Sequence, residues 1–394
     1  MIQSNTKTKT LNLEIILFTL IRVVLNSSNR MVYPLLPLFA AGLGVSIAEL
    51  GIAFSIRSFL GVLGPFLAVY ADIRGRKSGM LLGLGLFTIG TVFVAIWPSF
   101  FTFIVASSLV ELGNGVFNPS MQAYLSDRVP YEKRGAVLSF TELSWALAFI
   151  IGIPIVGFLI EKYNWTSPYI FLGALGLLLF VLLIIRIPKD VNPSREKQAL
   201  LGNLRKVLTF WPALAGMLMG FFFTGANELV NLVFGVWIND SFGLAFATLT
   251  AASIVIGSSE LISELLSVFV LDKLGKRRAI LFALLLNSVS SLFLPLTAKN
   301  LTLALLGLGF FYITFEFALI SGLTMMSEVL PSARATIMAA TLAAFSLGRM
   351  LGSLVSPSLY GIGFWAACLG AVLLNVVSLF FLTQVRLKLS SDAH

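Results

Sequence analysis

Six glutamates interrupt long apolar runs in this sequence: Glu111, Glu142, Glu228, Glu260, Glu264 and Glu316. A charge at the centre of a membrane helix costs about 2.5–3.5 kcal/mol on insertion scales, so such side chains turn to a partner, a bundle interior or water. Glu260 and Glu264, in "SSELISELL", are four residues apart and share a helix face, with Ser259 and Ser263 beside them. Two carboxylates in a low-dielectric site cannot both ionise cheaply. The pair is expected to carry a proton or hold a cation, unless one member is paired with an arginine from another helix. Glu111 and Glu228 complete the set of candidate proton carriers. Other chemistries lack their residues. Cys368 and His394 are the only cysteine and histidine, so neither a disulfide nor a His/Cys metal site is expected. An enzyme would need a nucleophile with a base, or a metal; none is expected, and no cofactor.

The elements that must position these residues are membrane helices. The chain is 58% hydrophobic and 11% charged, against about 45–50% and 25% in a soluble domain. A spanning helix needs about 20 mostly apolar residues. Twelve such blocks lie between Gly, Pro and charged punctuation, at 11–43, 48–71, 78–97, 100–126, 134–160, 166–186, 208–238, 245–271, 279–297, 301–327, 333–359 and 362–385. The first block is too long for a secretory signal and lacks a small-residue cleavage site, so it is expected to remain in the mature protein. The net charge of +9 needs no nucleic-acid partner. Only Lys162 and Lys299 fall in odd-numbered loops, and Arg22, Arg30, Arg57 and Arg349 fall well within spans; the remaining Lys and Arg lie at the termini, in even-numbered loops or at the span ends beside those loops. That asymmetry follows the positive-inside rule and predicts a multi-pass protein of the cell membrane with both termini cytoplasmic.

The polar stretch "IPKDVNPSREKQALLGNLRK" (187–206) divides the chain into two six-helix halves, 1–186 and 208–394, joined by a cytoplasmic linker at 187–207. Related features recur between the halves. Asp72 and Gly75 of "ADIRGRKSG" match Asp272 and Gly275 of "LDKLGKRRA". "SDRVPYEKRG" matches "SEVLPSARA", pairing Asp127 with Glu328, Pro130 with Pro331 and Arg134 with Arg334. Two equivalent bundles that rock about a site between them are the plan of many secondary transporters. Over essentially its whole length the chain resembles the major facilitator superfamily. "ADIRGRKSG" is similar to that family's loop motif G-x-x-x-D-R-x-G-R-R/K, with Ala68 in place of the first glycine and Ile73 in place of the arginine after Asp72. "IIGIPIVGF", with Gly152, Pro154 and Gly157, partly resembles the helix-five motif of the family's drug–proton antiporters, and equally suits close helix packing. Helix four lacks the arginine usual in those antiporters; Leu109 stands there.

The resemblance implies an all-α fold of two pseudo-symmetric six-helix bundles, a central substrate cavity, and a cytoplasmic gate formed by Asp72, Gly75, Arg76, Asp127 and Arg134. The bland alternative is that the gate charges only fix topology. "NSSNR" (26–30) and "NELVN" (227–231) occupy equivalent places in the first helix of each half. Asn26, Asn29, Arg30, Asn227, Glu228 and Asn231 are therefore expected to line the cavity with Glu142, Trp145, Glu316 and Arg349. Arg30 and Glu228 would pair across the halves; alternatively Arg30 snorkels outward. Trp145, three residues after Glu142, offers an aromatic wall for a cation, or is simply core. Arg57 and Arg349 are expected partners for the glutamates, while Arg22 and Arg186 are read as snorkelling. The leading expectation is proton-linked export of a lipophilic or cationic small molecule by a monomer among membrane lipids. Uptake of an organic anion or sugar gripped by Arg30 or Arg349 is the second, and a receptor or lipid scramblase the third. No G-x-x-x-x-G-K-[ST] motif is present, so the driving force would be a gradient.

Overall fold

The computed structural model describes residues 2–64, 67, 74–188, 200–243 and 246–385. Among the described residues every regular element is a helix. Eleven spans are long and apolar enough to cross a membrane, and a twelfth is counted if Leu36–Leu43 and Ile47–Gly61, bent by 106°, form one. Large apolar side chains such as Val268, Phe269 and Leu306 point outward, as they must where the surroundings are lipid. This is an integral, multi-pass membrane protein.

Three spans are broken, and the breaks bear on the site. The first run, expected as one helix over 11–43, is two: α1 (Ile2–Arg30) and α2 (Leu36–Leu43). Pro34 has no N–H to continue the ladder, and a proline disfavours helical angles at the residue before it; residues 31–35 form a turn. The seventh run is likewise split into α11 (Trp211–Asn231) and α12 (Phe234–Phe242), here without a proline; Val233 N bonds the carbonyl of Val230 instead. "NSSNR" and "NELVN" are thus the last residues before two equivalent breaks. In the fifth run, α6 (Tyr131–Glu142) and α7 (Ser144–Leu147) lead into a π-turn at Ala148–Gly152 and then α8 (Ile153–Lys162). Pro154 cannot serve the carbonyl four residues back, and the extra residue of a π-turn relieves its ring.

The remaining helices are α3 (Ile47–Gly61), α4 (Arg76–Ile96), α5 (Phe100–Arg128), α9 (Ser167–Arg186), α10 (Leu200–Thr209), α13 (Phe246–Leu274), α14 (Lys276–Phe293), α15 (Leu301–Val329), α16 (Arg334–Ile362) and α17 (Phe364–Gln384). The chain divides into two compact units, Met1–Ser46 with Leu63–Glu196, and Ile47–Val62 with Lys197–His394. Helix α3 therefore belongs with the second unit, although it precedes the linker by more than 100 residues. Its Gly51 fits against Ser353 O and the ring of Pro357 on α16, each 2.7 Å from where a Cβ would sit. Ser55 Oγ donates to Met350 O at 3.0 Å.

Small residues set the close helix pairs in both units. A Cβ on Gly83 of α4 would lie 2.6 Å from Gly113 O of α5. On α16, Gly348 and Gly352 form a G-x-x-x-G pair facing α11; their added Cβ atoms would meet Phe221 O at 2.1 Å and Glu228 Cβ at 2.6 Å. Without a hydrophobic driving force between helices in lipid, such close approach is what binds them.

Candidate functional site

In the first unit the polar residues of α1, α5, α6 and α7 converge. Arg22 is buried and makes a two-pronged bond to Glu142, Nη1 to Oε1 and Nη2 to Oε2, both at 2.8 Å. It also donates to Thr141 Oγ1 at 3.2 Å. Gln122 Nε2 and Trp145 Nε1 complete the shell of Glu142 at 3.2 and 3.1 Å. The expectation that Arg22 snorkels is corrected: at 2% side-chain exposure it is the partner of Glu142, a role expected of Arg57 or Arg349. Charge-assisted, bidentate geometry of this kind is the strong form of the hydrogen bond.

One turn further along α1, Asn26 Nδ2 donates to Ser144 Oγ at 3.2 Å, and Asn29 Nδ2 to Glu111 Oε2 at 3.0 Å. The half-buried guanidinium of Arg30 lies 4.4 Å from the ring centre of Trp145 and 4.8 Å from that of Phe149. The aromatic wall expected for a cation is therefore occupied by the protein's own arginine. Gly152 brings the π-turn against α1; a Cβ there would lie 1.9 Å from Ser27 Oγ. Gly157 is buried and Pro154 half-buried on the same segment.

In the second unit the site forms around Glu228, which is buried at the end of α11. Ser353 Oγ donates to its Oε1 at 2.9 Å and Asn231 Nδ2 to its Oε2 at 3.1 Å. Tyr312 of α15 donates to Asn231 Oδ1, and Asn227 is buried beside them on α11. Glu260 is buried and Glu264 half-buried on α13, and Glu316 is half-buried on α15. Arg349 is half-buried on α16, and Arg57 lies over the ring of Phe54 at 5.0 Å.

The residues expected at the gate form local pairs. Arg76 Nε is 3.9 Å from Asp127 Oδ2, and Arg134 Nε donates to Val129 O at 3.0 Å. Gly75 has φ +99°, which glycine alone adopts freely. Asp72 lies outside the described residues. The second unit repeats the arrangement with Gly275 at φ +79° and a Lys276–Glu328 ion pair.

The comparisons with known proteins agree with this architecture. A profile of the Major Facilitator Superfamily matches residues 18–311. The chain belongs to that superfamily. This major facilitator chain is 26% identical over 356 residues to the uncharacterized MFS-type transporter YceJ of Bacillus subtilis, covering 87% of this chain and 88% of YceJ. It is 25% identical over 219 residues to the quinolone resistance protein NorA of Staphylococcus aureus, covering 54% of this chain and 56% of NorA. Among solved structures, the nucleoside transporter NupG superposes with a TM-score of 0.78 at 17% identity, covering 95% of this chain and all of that one. A D-xylose–proton symporter gives 0.73, also at 17% identity, covering 96% and 98%. Those two likenesses establish the shared fold.

Sequence reasoning missed several residues of these polar clusters: Arg22 as a partner, Gln122, Tyr312 and Ser353. It also missed Glu14, buried on α1, which accepts from Tyr124 Oη at 3.2 Å while Arg128 stacks on the Tyr124 ring at 3.6 Å. The one available signal was helical spacing: Glu14, Phe18 and Arg22 recur every four residues on α1.

Proposed function

We propose that this transporter couples proton movement to the export of a lipophilic or cationic small molecule, with Glu228 as the proton-binding carboxylate. The observation that carries the reading is the pair of neutral donors on Glu228. Ser353 Oγ is a hydroxyl that donates to the carboxylate and, once turned, accepts from the carboxylic acid. Asn231 keeps its donor in place through Tyr312. Both protonation states therefore retain these partners, and neither the hydroxyl nor the amide brings a fixed charge to the oxygens. At Glu142 a proton would have to displace a guanidinium N–H. The likeness to a quinolone resistance protein supports export of an amphipathic compound.

The remaining assignments belong to the same proposal. Substrate would meet polar residues at each helix break, Asn26, Asn29 and Arg30 with Glu111 in the first unit, and Asn227 and Asn231 with Glu260, Glu264, Glu316 and Arg349 in the second. Arg76, Asp127 and Arg134 would belong to a cytoplasmic gate, in a monomer of the cell membrane with both termini inside. The test is flux of a lipophilic cation in proteoliposomes, with and without an imposed pH difference. Uptake driven by the pH difference in wild type, and lost in Glu228→Gln, is expected. Flux indifferent to pH, or accumulation of organic anions alone, would overturn the reading.

A further inference from the structure

Helix α5 carries a stripe of polar side chains that the ion pairs do not use up. Glu111, Asn114, Asn118 and Gln122 recur at intervals of three and four residues, which places them within an arc of about 80° on one helix face. Gly113 and Phe117, which meet Gly83 of α4, lie on the opposite face. The ends of the stripe are engaged: Glu111 accepts from Asn29 of α1, and Gln122 donates to Glu142 of α6. The middle is not. Asn114 is 6% exposed, yet neither its Oδ1 nor its Nδ2 has a hydrogen-bond partner among the described residues. The same holds for Asn118 Oδ1 and for Asn26 Oδ1 on α1.

A buried amide with both ends unmatched forfeits its hydration without recovering it, and native interiors fill such places with water or ligand. We infer that the middle of α5, centred on Asn114, is a hydrogen-bonding subsite for an uncharged polar group of the transported molecule, a carboxamide above all. An asparagine amide offers one donor edge and one acceptor edge, and a carboxamide presents the reverse pattern, so the two close a paired set of bonds. A full positive charge is better met at the end of the stripe where Glu111 sits. The subsite rests on the reading of this chain as a small-molecule transporter and adds a polar handle to the cationic or lipophilic substrate proposed above.

The test uses matched ligands and the full chain in lipid nanodiscs, read by isothermal titration calorimetry against empty discs. One pair is tetraphenylphosphonium and its para-carbamoyl derivative; the neutral pair is 4-methylbiphenyl and 4-phenylbenzamide. Wild type is expected to bind each carbamoyl compound about tenfold or more tightly than its partner, because a site built for a hydrogen-bonding group discriminates against analogues lacking it. Asn114→Leu should abolish the preference while keeping affinity for the plain compounds; Asn114→Ser should restore part of it. Equal affinities in wild type, a preference that survives Asn114→Leu, or binding of neither pair would overturn the subsite and leave Asn114 with buried water only. A preference within the neutral pair, with neither phosphonium bound, would uphold the subsite and sink the cationic reading. Equal affinities in wild type overturn the subsite without any variant, and where Asn114→Leu does not fold, an undiminished preference in Asn114→Ser overturns its placement at Asn114.

Discussion

The Arg22–Glu142 pair makes an asymmetric prediction about stability. Arg22 is 2% exposed and Glu142 34% exposed. Arg22 also has its Nε buried without a partner among the described residues. Glu142→Leu leaves the guanidinium buried with only Thr141 to accept from it, and breaking a buried pair from this side costs about 3–5 kcal/mol. Arg22→Met leaves a carboxylate that is a third open and still bonded by Gln122 and Trp145. The loss there is about 1–3 kcal/mol. Removing both charges together replaces the pair by apolar volume, and the double variant should return to within about 1 kcal/mol of wild type. The assay is unfolding by increasing SDS mole fraction in mixed micelles, followed by helical circular dichroism, as a double-mutant cycle. A coupling energy near zero, or a cost for Arg22→Met at least equal to that for Glu142→Leu, would refute the reasoning that burial of the guanidinium decides the balance.

Three further outcomes follow from the geometry. Gly352→Leu should force α11 and α16 apart, because its first side-chain atom already meets Glu228 Cβ at 2.6 Å; a loss of about 1–3 kcal/mol or more is expected. Gly361→Ala on the same helix, with nothing within 4 Å, should be neutral or slightly stabilising, and the labelling rate of the buried Cys368 reports both. Lys77 Nζ donates to Ile184 O and Ile187 O at the end of α9, and Arg277 Nη2 to Thr383 O at the end of α17. Substitution of either by Met should loosen only that helix end, by about 0.3–1 kcal/mol, seen as faster hydrogen exchange in its last turn. Asp127→Asn should change stability by no more than about 1 kcal/mol, since the pair with Arg76 is long and the carboxylate is exposed; a larger shift in thermal unfolding would count against its reading as a surface pair.

Apolar run length was enough to place eleven of the spans, and the recurrence of Gly75 and Gly275 was enough to find the duplicated loops. Both are local signals, carried by a window of sequence. The breaks were only half legible: Pro34 announces the end of α1, whereas the turn at Leu232–Val233 has no proline to mark it. Partner choice was the least legible. Arg22 and Glu142 are 120 residues apart, and hydropathy shows that each charge needs a partner without showing which helix face supplies it. Ser353 and Tyr312 attract no notice in a sequence because single hydroxyls are unremarkable in apolar helices; their role depends on α16 and α15 both meeting the end of α11. The placement of α3 is also a long-range outcome, fixed by Gly51 and Ser55 fitting a helix that lies about 300 residues onward.

The two units keep the same mechanics and divide the chemistry. Each has a positive-φ glycine, before α4 in one and α14 in the other, a basic residue two positions later that caps the end of α9 or α17, and an ion pair from the intervening basic position to the end of α5 or α15. Each also ends its first span at a break whose last turn is polar. At that break the partners differ. In the first unit α1 supplies arginine, and the carboxylate of Glu142 is held by a fixed charge. In the second, α11 supplies the carboxylate itself, and a hydroxyl and an amide donate to it. A duplicated scaffold tolerates this divergence because the closing contacts at the loops do not involve the breaks. At Glu142 an arriving proton or cation competes with a guanidinium; at Glu228 a hydroxyl and an amide are among the donors it meets. The Arg22–Glu142 pair ties α1 to α6 within the first unit's polar core.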